Sequence, residues 1–169
     1  MATVNEEPRG LGGWLILPAI SLFVTPIVSA VSFYNDYLPI FREGYWEVLT
    51  TPGSEAYHHL WAPFITFDIV GITLLTFFDI ILIFLFFAKS YRFPTLMITF
   101  LALNILFQVG DFLFTNLIPA LAAEGNKQYP KIIMVIIWIR YFQISKRVKN
   151  TFVKPESNKP LQPTAESGG

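Results

Sequence analysis

The chain has no cysteine, and that absence removes disulfides, thiol redox chemistry and cysteine-based metal sites from consideration. Histidine is nearly missing as well, with His58 and His59 the only two. Adjacent histidines on a helix point about 100° apart, so even with Glu55 close by they are not expected to complete a metal site, and no cofactor is expected. Charge is scarce at 14% of residues with a formal net charge of zero, and the basic residues do not gather on one helix face, so nucleic acid is not an expected partner. A phosphate loop, a dinucleotide fingerprint, an HExxH pair and a Ser-His-Asp order are all lacking, which argues against soluble-type catalysis and for a protein that is not an enzyme. What remains is apolar: 53% of residues are hydrophobic and the mean hydropathy is +0.51, away from an ordinary soluble domain.

The apolar residues fall in four blocks whose ends carry charges, proline, glycine and aromatics, as in segments cut to bilayer thickness. The block around which the others are arranged runs from Trp61 to Ala88, interrupted only by Asp68 and Asp79 and closed by Lys89. At about 1.5 Å per residue it reaches roughly 42 Å, enough to cross a hydrocarbon layer of roughly 30 Å with some tilt. The fold expected is all-α: a polytopic membrane protein with four transmembrane helices at about 11–34, 61–88, 94–118 and 130–149, forming one domain over 11–152. Flexible polar tails are expected over 1–10 and 153–169.

The first block is preceded by Glu6 and Glu7 rather than a basic region, so a retained helix is expected and not a cleaved signal. Pro18 and Pro26 inside it free backbone carbonyls, which predicts a kinked, protein-facing helix with Ser21, Thr25 and Ser29 at hand. Gly12 and Gly13 allow close approach of another backbone. Between Asp36 and His59, Leu38, Phe41, Tyr45, Val48 and Leu49 recur at helical spacing and predict a short interfacial amphipathic helix; an irregular loop is the alternative. The fourth helix has the weakest hydropathy, its uncharged core being Ile132 to Ile139, and spans only if Lys131 and Arg140 snorkel outward. A shallow re-entrant segment is the other reading.

With both chain ends in the cytoplasm, the inside segments hold Arg9, Lys89, Arg92, Arg140, Lys146, Arg147, Lys149, Lys154 and Lys159, against Arg42, Lys127 and Lys131 outside. That asymmetry follows the positive-inside rule and sets the expected orientation. Arg140, Lys146, Arg147 and Lys149 would attract anionic headgroups or serve only to fix orientation.

Gly12-Gly13-Trp14-Leu15, the first-loop phrase Trp46-Glu47-Val48-Leu49-Thr50-Thr51-Pro52-Gly53-Ser54 with Tyr57, His58 and Trp61, and the closing run from Trp138 to Phe152 resemble the domain-of-unknown-function 2569 family. The resemblance covers about Gly10 to Phe152 and implies a bacterial four-helix inner-membrane protein without an established activity. Phe67-Asp68 is similar to an aromatic-acid pair early in that family's second helix, usually with Glu, and Arg140 stands where proline is expected.

Asp68 and Asp79 lie three helical turns apart and share a face; Asn104, Gln108, Asp111 and Thr115 form a stripe on one face of the third helix. In an antiparallel pair joined by the short basic turn of Lys89 to Pro94, centred on Tyr91 to Phe93, this places Asp79 opposite Asn104 near the midplane and Asp68 opposite Asp111 near the outer surface. A charged Asp near the bilayer centre costs at least about 2.5–3.5 kcal/mol. Asp79 is therefore expected either protonated and hydrogen-bonded to Asn104, as polar glue between helices, or ionised beside water or a cation, as a proton or cation site. Asp68 and Asp111 would share a proton or bind a cation, or else be hydrated caps. The functional expectations are an interaction or membrane-organising role, with the bilayer and a second copy or another membrane protein as partners, and alternatively a small oligomeric proton- or cation-coupled transporter or channel component. An intramembrane enzyme ranks third.

Overall fold

The computed structural model describes residues 10–122 and 129–153. The expected tails, apart from Gly10 and Val153, the polar connection at Glu124–Lys127 and the side chain of Lys131 lie outside the described residues. All regular structure among the described residues is helical.

A short 3₁₀ turn, Gly13–Leu15, leads into α1, Ile16–Ser32. Pro18 sits in the first turn of α1, where a missing N–H costs nothing, so Pro26 is the one proline that interrupts the helix interior. The helical path continues beyond Tyr34 through a π turn at Phe33–Tyr37 and then α2, Leu38–Arg42. The cause is Pro39, whose ring would collide with the carbonyl of Asn35 in a regular helix. The preceding turn widens, and the Leu38 N–H donates to Phe33 C=O, five residues back. The chain stops at Gly44, which takes a left-handed conformation with φ of 76°, and resumes as α3, Tyr45–Thr50. The single amphipathic helix expected across Leu38–Leu49 is thus cut in two: Gly44 resets the helical phase, α2 prolongs the first long helix, and Phe41, Tyr45 and Val48 remain exposed.

The two central helices are α4, Trp61–Phe87, and α5, Phe93–Leu117. Between them Lys89 takes a left-handed φ of 47°. The Ser90 N–H donates to Leu85 C=O and the Lys89 N–H to Phe86 C=O, the paired bonds of a Schellman stop. Pro94 lies in the first turn of α5, where its lack of an N–H is harmless. Aromatic pairs fix the register: Phe86 meets Phe93 at 5.2 Å between ring centroids, Phe78 meets Phe100 at 5.5 Å and Phe64 meets Phe114 at 5.7 Å. Halfway along the contact each helix offers a glycine to the other's phenylalanine. A Cβ on Gly71 would lie 2.1 Å from Phe107, one on Gly110 would lie 2.5 Å from Phe67, and the two rings stack at 5.1 Å.

After a four-residue helix, α6 (Pro119–Ala122), the helix α7, Tyr129–Ile144, packs on α5 and returns toward the chain's beginning, where Phe142 reaches Phe93 at 5.9 Å. The fourth helix expected as one piece over 130–149 is two. Ser145 leaves the helical conformation, and its Oγ accepts the Val148 N–H at 3.4 Å, capping α8, Lys146–Thr151. Serine competes for backbone groups in this way, so the break is local chemistry. Because α8 turns inward, Phe152 stacks on Phe93 at 4.7 Å and joins Leu15, Leu82, Phe86, Phe142 and Val148 in the main core. We call this the terminal end of the bundle, and the end carrying α3 and α6 the loop end.

The two ends of the described chain are clasped there. The Gly10 N–H donates to Thr151 Oγ1 at 3.0 Å and Thr151 Oγ1 donates to Gly10 C=O at 3.3 Å. Replacing Thr151 with valine keeps the shape and removes both bonds, and is expected to cost about 1–2 kcal/mol, read as a lower midpoint of thermal unfolding in detergent. Gly12 and Gly13 receive a side chain here and not another backbone. The Arg147 guanidinium lies 3.0 Å from where a Gly13 Cβ would stand, and Gly13 has φ of +63°.

Outside this core the helices are covered in exposed apolar side chains, among them Ile27 and Val31 of α1, Leu74, Phe77 and Phe84 of α4, Leu106 and Leu113 of α5, and Ile133 and Ile137 of α7. Three helical segments, Gly13–Arg42, Trp61–Phe87 and Phe93–Leu117, are long and apolar enough to cross a membrane; Ile133–Ile144 is a shorter apolar helix.

Candidate functional site

Both α1 and α5 pack on α4 but barely on each other, and toward the loop end the space between them is a cleft of about 380 Å³ floored by α4. Its polar wall comes from four elements: Thr25 and Ser29 of α1, Tyr37 of the π turn, Asp68 of α4, and Asn104, Gln108 and Asp111 of α5. Phe100, Phe107, Ile72 and Leu75 supply the apolar remainder. The π turn matters because it carries Tyr37 over the mouth, where its hydroxyl donates to Asp68 Oδ2 at 3.2 Å. Asp111 is near enough to Asp68 for the two to interact electrostatically. Asp68 is only 6% exposed, and its second oxygen, Oδ1, has no hydrogen-bond partner among the described residues.

The amides of the stripe do not reach across to another helix. Asn104 Nδ2 donates to Phe100 C=O at 3.0 Å, Gln108 Nε2 to Asn104 C=O at 3.2 Å and the Thr115 hydroxyl to Asp111 C=O at 2.8 Å, each one turn back along α5. Each amide gives one N–H to its own helix. Gln108 Oε1 is buried and has no hydrogen-bond partner among the described residues. Of the residues singled out in the sequence, the structure gathers Asp68, Asn104, Gln108 and Asp111 in one cleft and leaves Thr115 and Asp79 outside it.

Asp79 departs most from expectation. The observed aromatic register puts it level with Phe100, one turn before Asn104 on α5, since the connecting turn is centred on Lys89–Ser90 instead of Tyr91–Phe93. No Asp79–Asn104 hydrogen bond forms: Asp79 is 1% exposed and both of its carboxylate oxygens lack a hydrogen-bond partner among the described residues. It lies between Thr76, the last α4 residue of the cleft, and Leu82 of the terminal-end core.

The basic residues are divided. Arg140, Lys146 and Lys149 are exposed, Arg140 donating to Gln143 Oε1 at 3.4 Å, while Arg147 is drawn onto Gly12 and Gly13. His58 and His59 lie in the turn before α4 with ring centroids 4.5 Å apart, and the His58 Nδ1 accepts the Leu60 N–H at 3.3 Å. No cluster of three or more His, Asp or Glu suited to a metal ion occurs among the described residues.

Sequence reasoning did not assign Tyr37, Thr25 or Ser29 to the site. Tyr37 reads as one interfacial aromatic among several. The signal that would have singled it out is Pro39, four residues beyond Asn35 in a stretch that is otherwise helical, which forces the wide turn bearing Tyr37.

Long apolar helices with an apolar exterior and a few acids turned into an internal cleft define a multi-pass helical membrane protein by length and composition. Within that class the chain belongs to the DUF2569 family, described as a protein of unknown function, whose family model matches residues 8–153, in agreement with the resemblance carried by the Gly12, Trp46 and Trp138 phrases. Neither a curated protein nor a solved structure matches it.

Proposed function

We propose that this is a non-enzymatic, four-crossing protein of the bacterial cytoplasmic membrane, with both chain ends inside, that binds a proton or cation in the cleft between α1 and α5 as a small transporter or channel component. The observation that carries the reading is the direction of the stripe's hydrogen bonds. Glue between helices would spend its polar groups across an interface, whereas Asn104, Gln108 and Thr115 bond to their own helix and Gln108 Oε1 is left as a buried acceptor, without a partner among the described residues, in the cleft that also holds two aspartates. A permanently lined acceptor cleft at membrane depth is costly unless something positively charged or water occupies it.

Orientation rests on the nine-to-three distribution of Lys and Arg, which puts the terminal end inside and the cleft mouth outside. The fourth crossing is supported by the course of α7: Phe142 ends beside Phe93 at the terminal end, opposite the end at which α5 stops. At roughly 24 Å for its 16 residues α7 is short of the hydrocarbon thickness, and exposed Arg140 and Lys146 near its end are suited to snorkelling.

A second reading is favoured by the open side of the cleft between α1 and α5. A helix of a second copy or of another membrane protein seated there would shield the acids, as an interaction or membrane-organising role requires. Proteoliposome flux separates the two. With the purified chain, proton or alkali-cation flux is expected and should fall about tenfold or more in Asp68→Asn, the loss of a hydrogen bond to a charged group. Absence of flux in the parent protein, together with cross-linking from the cleft to a neighbouring chain, would favour the organising role.

A further inference from the structure

Resting on the reading of the cleft as a cation site, we infer that its ligand is a primary ammonium group attached to a small apolar body. A proton or bare metal ion does not need this shape. About 380 Å³ is within the range of small-molecule sites, and no cluster of three or more His, Asp or Glu suited to a metal ion occurs among the described residues.

The buried side-chain atoms of the cleft that have no hydrogen-bond partner among the described residues are both acceptors. Asp68 Oδ1 and Gln108 Oε1 are buried without a partner, and Asp111 adds a second acid to the same wall. The amide orientation is fixed by its neighbour. Turning Gln108 over would set its oxygen against the Asn104 carbonyl, acceptor to acceptor, so Nε2 faces the helix and Oε1 the cleft. No Lys or Arg among the described residues lines the space. A cavity presenting acceptors and negative charge without a resident cation calls for a cationic donor, and an ammonium brings three N–H bonds, which a quaternary ammonium does not. The rest of the lining matches an organic body. Phe100 and Phe107 present rings suited to a cation or its alkyl carbon, with Ile72 and Leu75 beside them. Tyr37 at the mouth already donates to Asp68 Oδ2, which leaves Oδ1 for the ligand.

The ammonium has two possible sources, a free amine entering from the loop end and an aminophospholipid headgroup entering through the open side. Purified protein in detergent is titrated calorimetrically with butylammonium, its neutral counterpart butanol, tetramethylammonium and sodium, and native mass spectrometry compares retention of phosphatidylethanolamine with phosphatidylcholine. Saturable binding of butylammonium, or selective retention of phosphatidylethanolamine, is expected, and the arm that responds identifies the source. Asp68→Asn and, separately, Gln108→Met should each weaken binding about tenfold, with Glu47→Gln unchanged. A normal gel-filtration profile of each variant guards against misfolding. Asp68-dependent binding of sodium without any preference for a primary ammonium would overturn this inference and leave the cation-site reading standing. Binding of none of these cations, together with no proton flux in proteoliposomes, would remove both.

Discussion

Gly71→Ala is expected to destabilise the central helix pair by about 1–3 kcal/mol, although it adds a single methyl group. The new Cβ would lie 2.1 Å from Phe107 Cε2 and 2.6 Å from Cδ2, so the ring must leave. It has nowhere easy to go. Phe107 is stacked on Phe67, Phe67 is seated on Gly110, and Phe67 also meets Phe114 at 5.5 Å, so displacing one ring disturbs a ladder whose Phe107 lines the cleft. In an apolar solvent the helices gain little from hiding carbon, which leaves close packing as the main attraction between them and makes these contacts weigh more than in a soluble bundle. Unfolding from detergent micelles by a denaturing detergent gives the stability change. Truncating the obstacle tests the cause: Phe107→Ala should recover part of the loss in the Gly71→Ala background, with a coupling of about 1 kcal/mol or more, while Thr73→Ala on the exposed face should be silent. Additive losses would mean that the two residues do not oppose one another.

Asp79→Val is expected to do the reverse and stabilise the fold by about 1–3 kcal/mol. A buried carboxyl group whose oxygens find no hydrogen-bond partner among the described residues carries its desolvation cost uncompensated, and valine fills about the same space without it. The glue reading of Asp79 demands the opposite sign, because loss of a bond to Asn104 would weaken the bundle. Since Asp79 lies between the cleft and the sealed terminal-end core, a gain in stability accompanied by a loss of flux is the outcome expected of a residue kept for function at the expense of stability. Unchanged flux in Asp79→Val would confine ion handling to the cleft.

Much of this architecture is legible in the residues. Trp61 to Ala88 announces a long apolar helix, observed over Trp61–Phe87, and Pro94 marks the opening of the next, observed from Phe93. Their antiparallel course follows from the short basic turn, and the alignment of Asn104, Gln108 and Asp111 follows from helical period alone. Periodicity does not report where a helix loses its phase. Gly44 and Ser145 are single residues whose effects depend on a left-handed φ and a side-chain cap, and each divides a segment that spacing joins. The level of Asp79 is likewise set by a feature that periodicity does not carry. The stop at Lys89 sets how far α5 is displaced along α4, and a small error in the turn's centre moves every facing pair by up to a helical turn. The cleft itself depends on α1 standing apart from α5, a tertiary fact that no local pattern encodes.

The most direct test of hidden acids in a membrane bundle uses the chain's lack of cysteine, which makes each introduced thiol the only one present. Single cysteines at Ser54, Thr76, Phe77 and Ser90 are exposed in intact cells to a small, membrane-impermeant cationic thiol reagent. Ser54, in the long loop, and Thr76, in the cleft, should react from outside; Phe77, the next residue but on the apolar exterior, should not, and Ser90 should react only after lysis. Equal reactivity of Thr76 and Phe77, or labelling of Ser54 and Ser90 from the same side, would contradict the account.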